Sequence, residues 1–446
     1  MFQFYKENGN HMKKKTPKNK TITLCMIVKD ETHIIKECLE SMLPYIDRYD
    51  ITDTGSTDGT PELIEQFMEE NGVPGEVYRS DWKGFGDHAG KMGSRSESLR
   101  NCDGKADYAW VIDADDYIVG NFVYPENMDA DSYSLRIGRE DFVWWRNQIF
   151  KTGLDWSYIG VLHEYAECKG KQGPPTIARV MSPEYRITAR TLGARNVGIT
   201  TEEKYKKDAA ELEKAMIEEP ENSRYQFYLA QSYFDSQQME KALEAYLKRS
   251  EMGGWEEEVF YSLYRAAMIK ALLDYPWPEI QQQFLEAYNY RPIRAEPLYQ
   301  IARIYRQVHD QPRLGYIFAK MALEIPYPQN DILFIGDDCY NYQILDEIGA
   351  CAFYAGKPHV GYHACKRLVE ENLIPDEHRE RVIENLKSYE KVLQQIHAQE
   401  AQQEIQRKGE EEERKRLEKI EKRNRPKKGT KSNQKKKGKS RPKAKR

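Results

Sequence analysis

Residues 108–118 read YAWVIDADDYI, an apolar run from Tyr108 to Ile112 that stops on Asp113, Asp115 and Asp116. The run reads as a buried strand. Three carboxylates cannot follow it into a core, because like charges repel and desolvating them is costly. The chain is therefore confined to folds in which a buried strand ends at an open edge, with positive charge waiting there. Strand side chains alternate, so Asp113 and Asp115 point the same way just past that edge. No basic residue is adjacent in sequence, and the pair suits a hard divalent cation, magnesium or manganese.

The surrounding pattern names the sheet. Residues 21–28 (TITLCMIV), 49–53, 76–82 and 108–113 are strand-like. Between them, 31–43 repeats apolar residues at helical spacing, and PELIEQFMEE is a helix with Thr60 as its cap and Pro61 in its first turn. Alternating strand and helix predicts an α/β domain with a mostly parallel, Rossmann-like sheet covered on both faces. After Asp116 the pattern changes to two strands within 131–150, expected to join at Gly138.

From about Thr201 the chain turns helical. Ala230, Ala267, Ala302 and Ala352 mark similar segments at spacings of 37, 35 and 50, the last holding an insertion that includes GDDCY (336–340), read as loop or helix cap. A repeat near 34 residues with small residues at helix crossings is similar to the tetratricopeptide solenoid; the alternative is an unrelated helical bundle. The expected organisation is a basic disordered arm over 1–20, a catalytic domain over 21–195, helical repeats over 196–393, and a charged helix and Lys-rich tail over 394–446.

Composition bounds the rest. Net charge is −4, but residues 422–446 hold 14 of the 68 basic residues and no acid, leaving a body of 54 basic against 72 acidic residues, or −18. The tail is suited to polyanions. Seven scattered cysteines form no CxxC pair, so reduced thiols in the cytoplasm are expected rather than disulfides or zinc. The N-terminus has no apolar signal core, and no stretch reaches the ~18 residues of a membrane span.

Three metal patterns compete for Asp113 and Asp115. An EF-hand fails because Tyr117 and Ile118 stand where a ligand and a glycine belong. A haloacid-dehalogenase phosphohydrolase, with Asp113 as nucleophile, fits poorly at Tyr117. The Asp-x-Asp of sugar-nucleotide transferases remains, beside the plain alternative of an acidic surface turn. DITDTGSTDGT adds an acid, Asp53, at the end of a second strand, followed by a tight glycine turn at the edge where parallel sheets bind ligands. Neither GxxxxGK nor a strand-borne GxGxxG is present.

TLCMIVKDE, DTGSTDGT and WVIDADD, in that order and spacing, resemble the family 2 glycosyltransferases of GT-A fold, over about residues 21–170; GSRSESLR and GVLHEY extend the likeness. More narrowly the chain resembles members with a tetratricopeptide extension. The resemblance implies a metal-dependent, inverting transfer of sugar from a nucleotide diphosphate, UDP-linked, to the hydroxyl of a glycan, lipid-linked or protein acceptor. It implies that Glu31, Asp53, Arg95 and Asp113 bind the nucleotide sugar. Asp113, Asp115 and His163 would ligate manganese or magnesium. His163, Glu164 and Asp141 are rival bases, and His163 can equally be a structural residue. Arg95 can be a plain surface arginine. Trp144, Trp145 and Trp156 are candidates for stacking on sugar. The repeats would hold the acceptor, a protein partner or a second copy of the chain. The rival function is a non-catalytic scaffold carrying a peptide-binding helical array.

Overall fold

The computed structural model describes residues 19–139, 142–181, 184–190, 192–193 and 198–424. The expected basic arm, apart from its last two residues, and the Lys-rich tail after Asn424 lie outside them. The described chain divides into two compact units. The first runs to Pro292 and takes in Asn330–Phe334; the second comprises Ile293–Gln329 and the residues from Ile335 onward.

The first unit opens with β1 (Ile22–Val28), buried along nearly its whole length as an interior strand must be. Then come α1 (Ile35–Met42), β2 (Arg48–Asp53), α2 (Thr60–Glu70), β3 (Gly75–Arg79), α3 (Ser94–Asn101) and β4 (Tyr108–Val111). There follow β5 (Tyr117–Gly120), β6 (Ser132–Arg139), β7 (Phe142–Lys151), β8 (Trp156–Ile159), β9 (Tyr165–Cys168), β10 (Ile177–Arg179) and β11 (Tyr185–Thr188). The main sheet runs β3-β2-β1-β4-β7-β6-β11-β5, with β10 beside β6. The β3-β2-β1-β4 part is parallel, and β7 enters antiparallel to β4. Gly138 does not join two strands: it pairs with Val143 inside the β6–β7 hairpin. The pairing continues past it to Arg139 and Phe142.

Both faces are covered. Ile35, Cys38, Leu39 and Met42 of α1, with Ile64, Phe67 and Met68 of α2, pack on one face. Leu99 of α3, with Trp156 and Tyr158 of β8, packs on the other. The small β8–β9 sheet thereby lies on the α3 side.

Helices follow: α4 (Thr201–Glu218), α5 (Ser223–Asp235), α6 (Met239–Glu251), α7 (Glu256–Leu272) and α8 (Trp277–Tyr290). Thr200 and Glu203 cap α4 reciprocally. The second unit holds α9 (Glu296–Gln307), α10 (Pro312–Leu323), a π-helical turn (Cys339–Gln343), α11 (Ile344–Cys351), α12 (Pro358–Glu370) and α13 (Asp376–Asn424). Consecutive helices within each unit pack on one another. Ala230, Ala267 and Ala302 sit on α5, α7 and α9 and Ala352 caps α11, all fully buried. Each is the first helix of a hairpin, the arrangement expected where small residues let helices cross closely. Asp338 of GDDCY is the residue that leads into the π-helical turn.

Candidate active site

The glycine turn after β2 is laced to the loop after β1. Gly55 and Gly59 adopt φ of +101° and +90°, which a side chain would strain. Gly59 rather than Thr60 is the N-cap of α2. Thr60 is freed to accept from the Glu31 amide (2.8 Å). Asp58 ties the two loops: one oxygen accepts from the Thr60 amide and hydroxyl (3.0 and 2.6 Å), the other from the Thr32 amide and hydroxyl (3.0 and 2.7 Å). Asp30 accepts from the Thr57 amide (2.7 Å). Burial raises the Asp58 pKa, but these hydrogen bonds outweigh it and bring it to about 2. The folded value lies below the unfolded one, so the lock contributes stability above about pH 4 and loses it as pH falls through about 2. Asp58→Ala is expected to speed hydrogen exchange at the Thr32 and Thr60 amides at neutral pH. The difference from wild type should narrow toward pH 2; equal exchange throughout would show that the loops need no tie.

Asp53 is buried and accepts from the Gly55 (3.1 Å) and Ser56 (3.2 Å) amides of its own turn. The neighbouring Thr54 is the residue of this pair that lines the cleft.

The positive charge that the acidic strand end demands comes from two arginines. Arg95 of α3 reaches one oxygen of Asp113 at 2.7 Å and Glu164 at 2.5 Å; Arg146 of β7 reaches the other Asp113 oxygen at 3.2 Å. Arg95 is only 11% exposed, so it is no surface arginine. Burial would raise the Asp113 pKa, but the Arg95 and Arg146 charges hold the carboxyl well below the usual range. Those carboxylates in turn keep Arg95 charged despite its burial. Ser96, where the resembled motif has asparagine, accepts from the Tyr158 amide (2.9 Å) and ties α3 to β8.

Asp115 is placed differently. Its Oδ2 accepts from the Leu192 (3.0 Å) and Gly193 (3.1 Å) amides, and its carbonyl accepts from Arg190 Nε (2.6 Å). A Cβ added at Gly193 would lie 3.3 Å from Glu31 Oε1 and 3.6 Å from Asp115 Oδ2, so the two carboxylates flank the space this glycine leaves open. Asp116 is buried and accepts from the Arg190 amide (3.2 Å). Burial, then the Asp113 charge, pushes its pKa up to about 7.

Glu31, Arg95, Asp113, Asp115 and Arg146 border one cleft of about 1060 Å³ at the carboxyl edge of the parallel strands, lined also by Lys29, Trp82, His163 and, from α4, Lys204 and Lys207. A metal finds a partial fit. Magnesium-like ions are commonly held by one or two carboxylates plus substrate phosphates, and Glu31 with Asp115 offers that pair. Asp113, Asp115 and His163 do not gather as a ligand set: among the described residues no three His, Cys, Asp or Glu side chains do. Asp113 is engaged by guanidinium groups. His163, between β8 and β9, has its ring stacked on Tyr228 (4.1 Å between centroids). Asp141 lies outside the described residues.

The aromatic candidates do not line the cleft. Trp156 is core, Trp144 packs on the core, and the Trp145 ring lies by Arg179. Trp82, 45% exposed and edge-on to Phe85, is the tryptophan at the cleft. Arg146 and Arg190 escaped the sequence reading. Both depend on pairings across 33 residues or more, which no local spacing encodes.

Among the described residues no helix is long and apolar enough to cross a membrane, and all seven cysteines are free. A TPR repeat-containing protein of Synechococcus elongatus is 29% identical over 98 residues, 22% of this chain; the match spans only 21% of that protein's length. Among solved structures, YrrB, a TPR protein with an unusual peptide-binding site, is 16% identical with a TM-score of 0.33, covering 42% of this chain and 85% of its own. MamA is 11% identical with a TM-score of 0.30, covering 45% and 99%. The model of Glycosyl transferase family 2 matches residues 23–132, which include Glu31, Arg95, Asp113 and Asp115. Residues 23–132 thus match the family 2 glycosyl transferases, and an array of packed helices follows the sheet domain.

Proposed function

We propose that the protein transfers a sugar from a nucleotide diphosphate, UDP-linked, to an acceptor hydroxyl with inversion. The observation that carries this reading is the Glu31–Asp115 carboxylate pair at the mouth of a large cleft on the carboxyl edge of the sheet, inside the segment matched to the transferase family.

In this reading Glu31 and Asp115 would hold a manganese or magnesium ion, and such an ion would supply Lewis-acid stabilisation of the departing diphosphate. Arg190 and Lys29 stand on the same cleft to meet the phosphates. Arg95 and Arg146 fix Asp113 toward the ribose, and Asp53 shapes the turn that presents Thr54 to the nucleoside. Trp82 offers its face to a ring of donor or acceptor. The acceptor oxygen attacks the anomeric carbon from the side opposite the diphosphate and passes its proton to a base. Glu164 is already engaged by Arg95. His163 is the better candidate in the described residues, with Asp141 its rival. The helical repeats would bind the acceptor, a glycan, lipid-linked or protein molecule, or a second copy of the chain.

The test is a thermal-shift screen of sugar nucleotides with and without manganese, followed by slow hydrolysis of any donor that binds. Metal-dependent binding of a nucleotide sugar is expected. Failure of every donor, with capture of a defined peptide by the repeats, would favour the scaffold reading instead.

A further inference from the structure

The cleft is not finished by the sheet domain. His163 sits at φ +53°, a left-handed backbone that costs a non-glycine residue free energy and that glycine would adopt freely. Two residues of α5 hold it there. Arg224 donates to the His163 carbonyl from Nη2 (2.7 Å) and Nε (3.2 Å). Tyr228, one helical turn on, stacks on the imidazole with the planes 10° apart. The Arg224 guanidinium is itself fixed, between the rings of Tyr165 (5.1 Å) and Tyr228 (4.9 Å) and beside Glu258 (3.5 Å), which also grips the buried Arg249 (2.9 Å). The same helix pair also holds the segment between β3 and α3: the Tyr225 hydroxyl meets His88 Nδ1 (3.1 Å), and Glu219 accepts from the Ala89 amide (2.7 Å).

We infer that Arg224 and Tyr228 are positioning residues for the transfer step, and that the helices α4 and α5 are part of the active site. They hold His163, a residue that lines the cleft, through its carbonyl and its ring face. The inference rests on the transferase reading of that cleft. A backbone needed only for the turn would be served better by glycine. A helix needed only for docking would not have to stack a ring on an imidazole. Misplacing a reacting group by about an ångström costs on the order of 100-fold in rate, so the effect of the two helices should appear in turnover and not in donor binding.

The test uses the full chain and a UDP-sugar that the wild type hydrolyses. Tyr228→Leu removes the stacking surface, and Tyr228→Phe keeps it. The expected result is a fall in kcat of roughly tenfold or more for the leucine variant, with donor KM and thermal midpoint near wild type and the phenylalanine variant close to wild type. In proton NMR the His163 ring resonances, shifted upfield by the Tyr228 ring, should move downfield in Tyr228→Leu and stay in Tyr228→Phe. Wild-type turnover by the leucine variant, or an equal loss in both variants, would overturn the inference. Absence of any sugar-nucleotide turnover in the wild type would sink the transferase reading separately. The imidazole resonances would then still decide whether α5 holds the ring.

Discussion

Arg95→Met is expected to destabilise the first unit by about 3–5 kcal/mol and to abolish donor hydrolysis. The figure is the usual cost of removing one partner from a buried ion pair and leaving the other charge uncompensated. Here two carboxylates lose their partner. Asp113 keeps only Arg146, at 3.2 Å, and Glu164 loses a contact of 2.5 Å. Methionine fills much of the arginine volume, so lost packing adds little. Denaturant unfolding followed by near-ultraviolet circular dichroism would measure the change. Adding Asp113→Asn to Arg95→Met should restore part of the stability, because the stranded charge is then gone, but none of the activity. A shift below about 1 kcal/mol would mean the cluster is solvated, as surface pairs are.

Asp115→Ala should behave in the opposite sense: little change in stability and a loss of about 10²–10³ in kcat, the range seen when one group that stabilises developing charge is removed. In the fold, Asp115 only accepts two backbone amides of the Leu192–Gly193 segment, so its removal costs about 1 kcal/mol. In the proposed chemistry it shares with Glu31 the placing of the cation. Manganese-dependent stabilisation by a sugar nucleotide should vanish with it. Undiminished metal-dependent binding in the variant would remove Asp115 from the site. The two substitutions together separate a residue that shapes the pocket from one that acts in it.

The sequence disclosed what depends on local pattern. Continuous apolar runs announced β1 and β4, and the spacing of Ala230, Ala267, Ala302 and Ala352 announced the helical hairpins. The acids at the end of β4 announced that a positive partner waited there. What it was stayed hidden, because Arg95 lies 18 residues before Asp113 and Arg146 lies 33 after it, on an antiparallel strand. A metal was the natural guess for clustered acids, yet the fold assigns Asp113 to arginines and gives Asp115 the Leu192 and Gly193 amides. The cap of α2 was misplaced by one residue because Gly59, with no side chain, carries the left-handed step that threonine would resist. Trp156 and Trp144 looked available for a ligand only because sequence does not show which strand face meets the core. The tie from α5 to His163 spans 61 residues and joins two domain types, so no motif announces it.

The last helix, α13, runs for 49 residues, and only its early turns press Val382, Tyr389 and Leu393 into the core. Beyond Gln394 it is clothed in ion pairs along its own length, such as Lys415 with Glu411 and Lys408 with Glu404. At ~1.5 Å per residue this free half extends on the order of 45 Å. It is a mast: its end at Asn424 stands tens of ångströms from the α11–α12 hairpin, so a tether at that end would leave the second unit's surface clear.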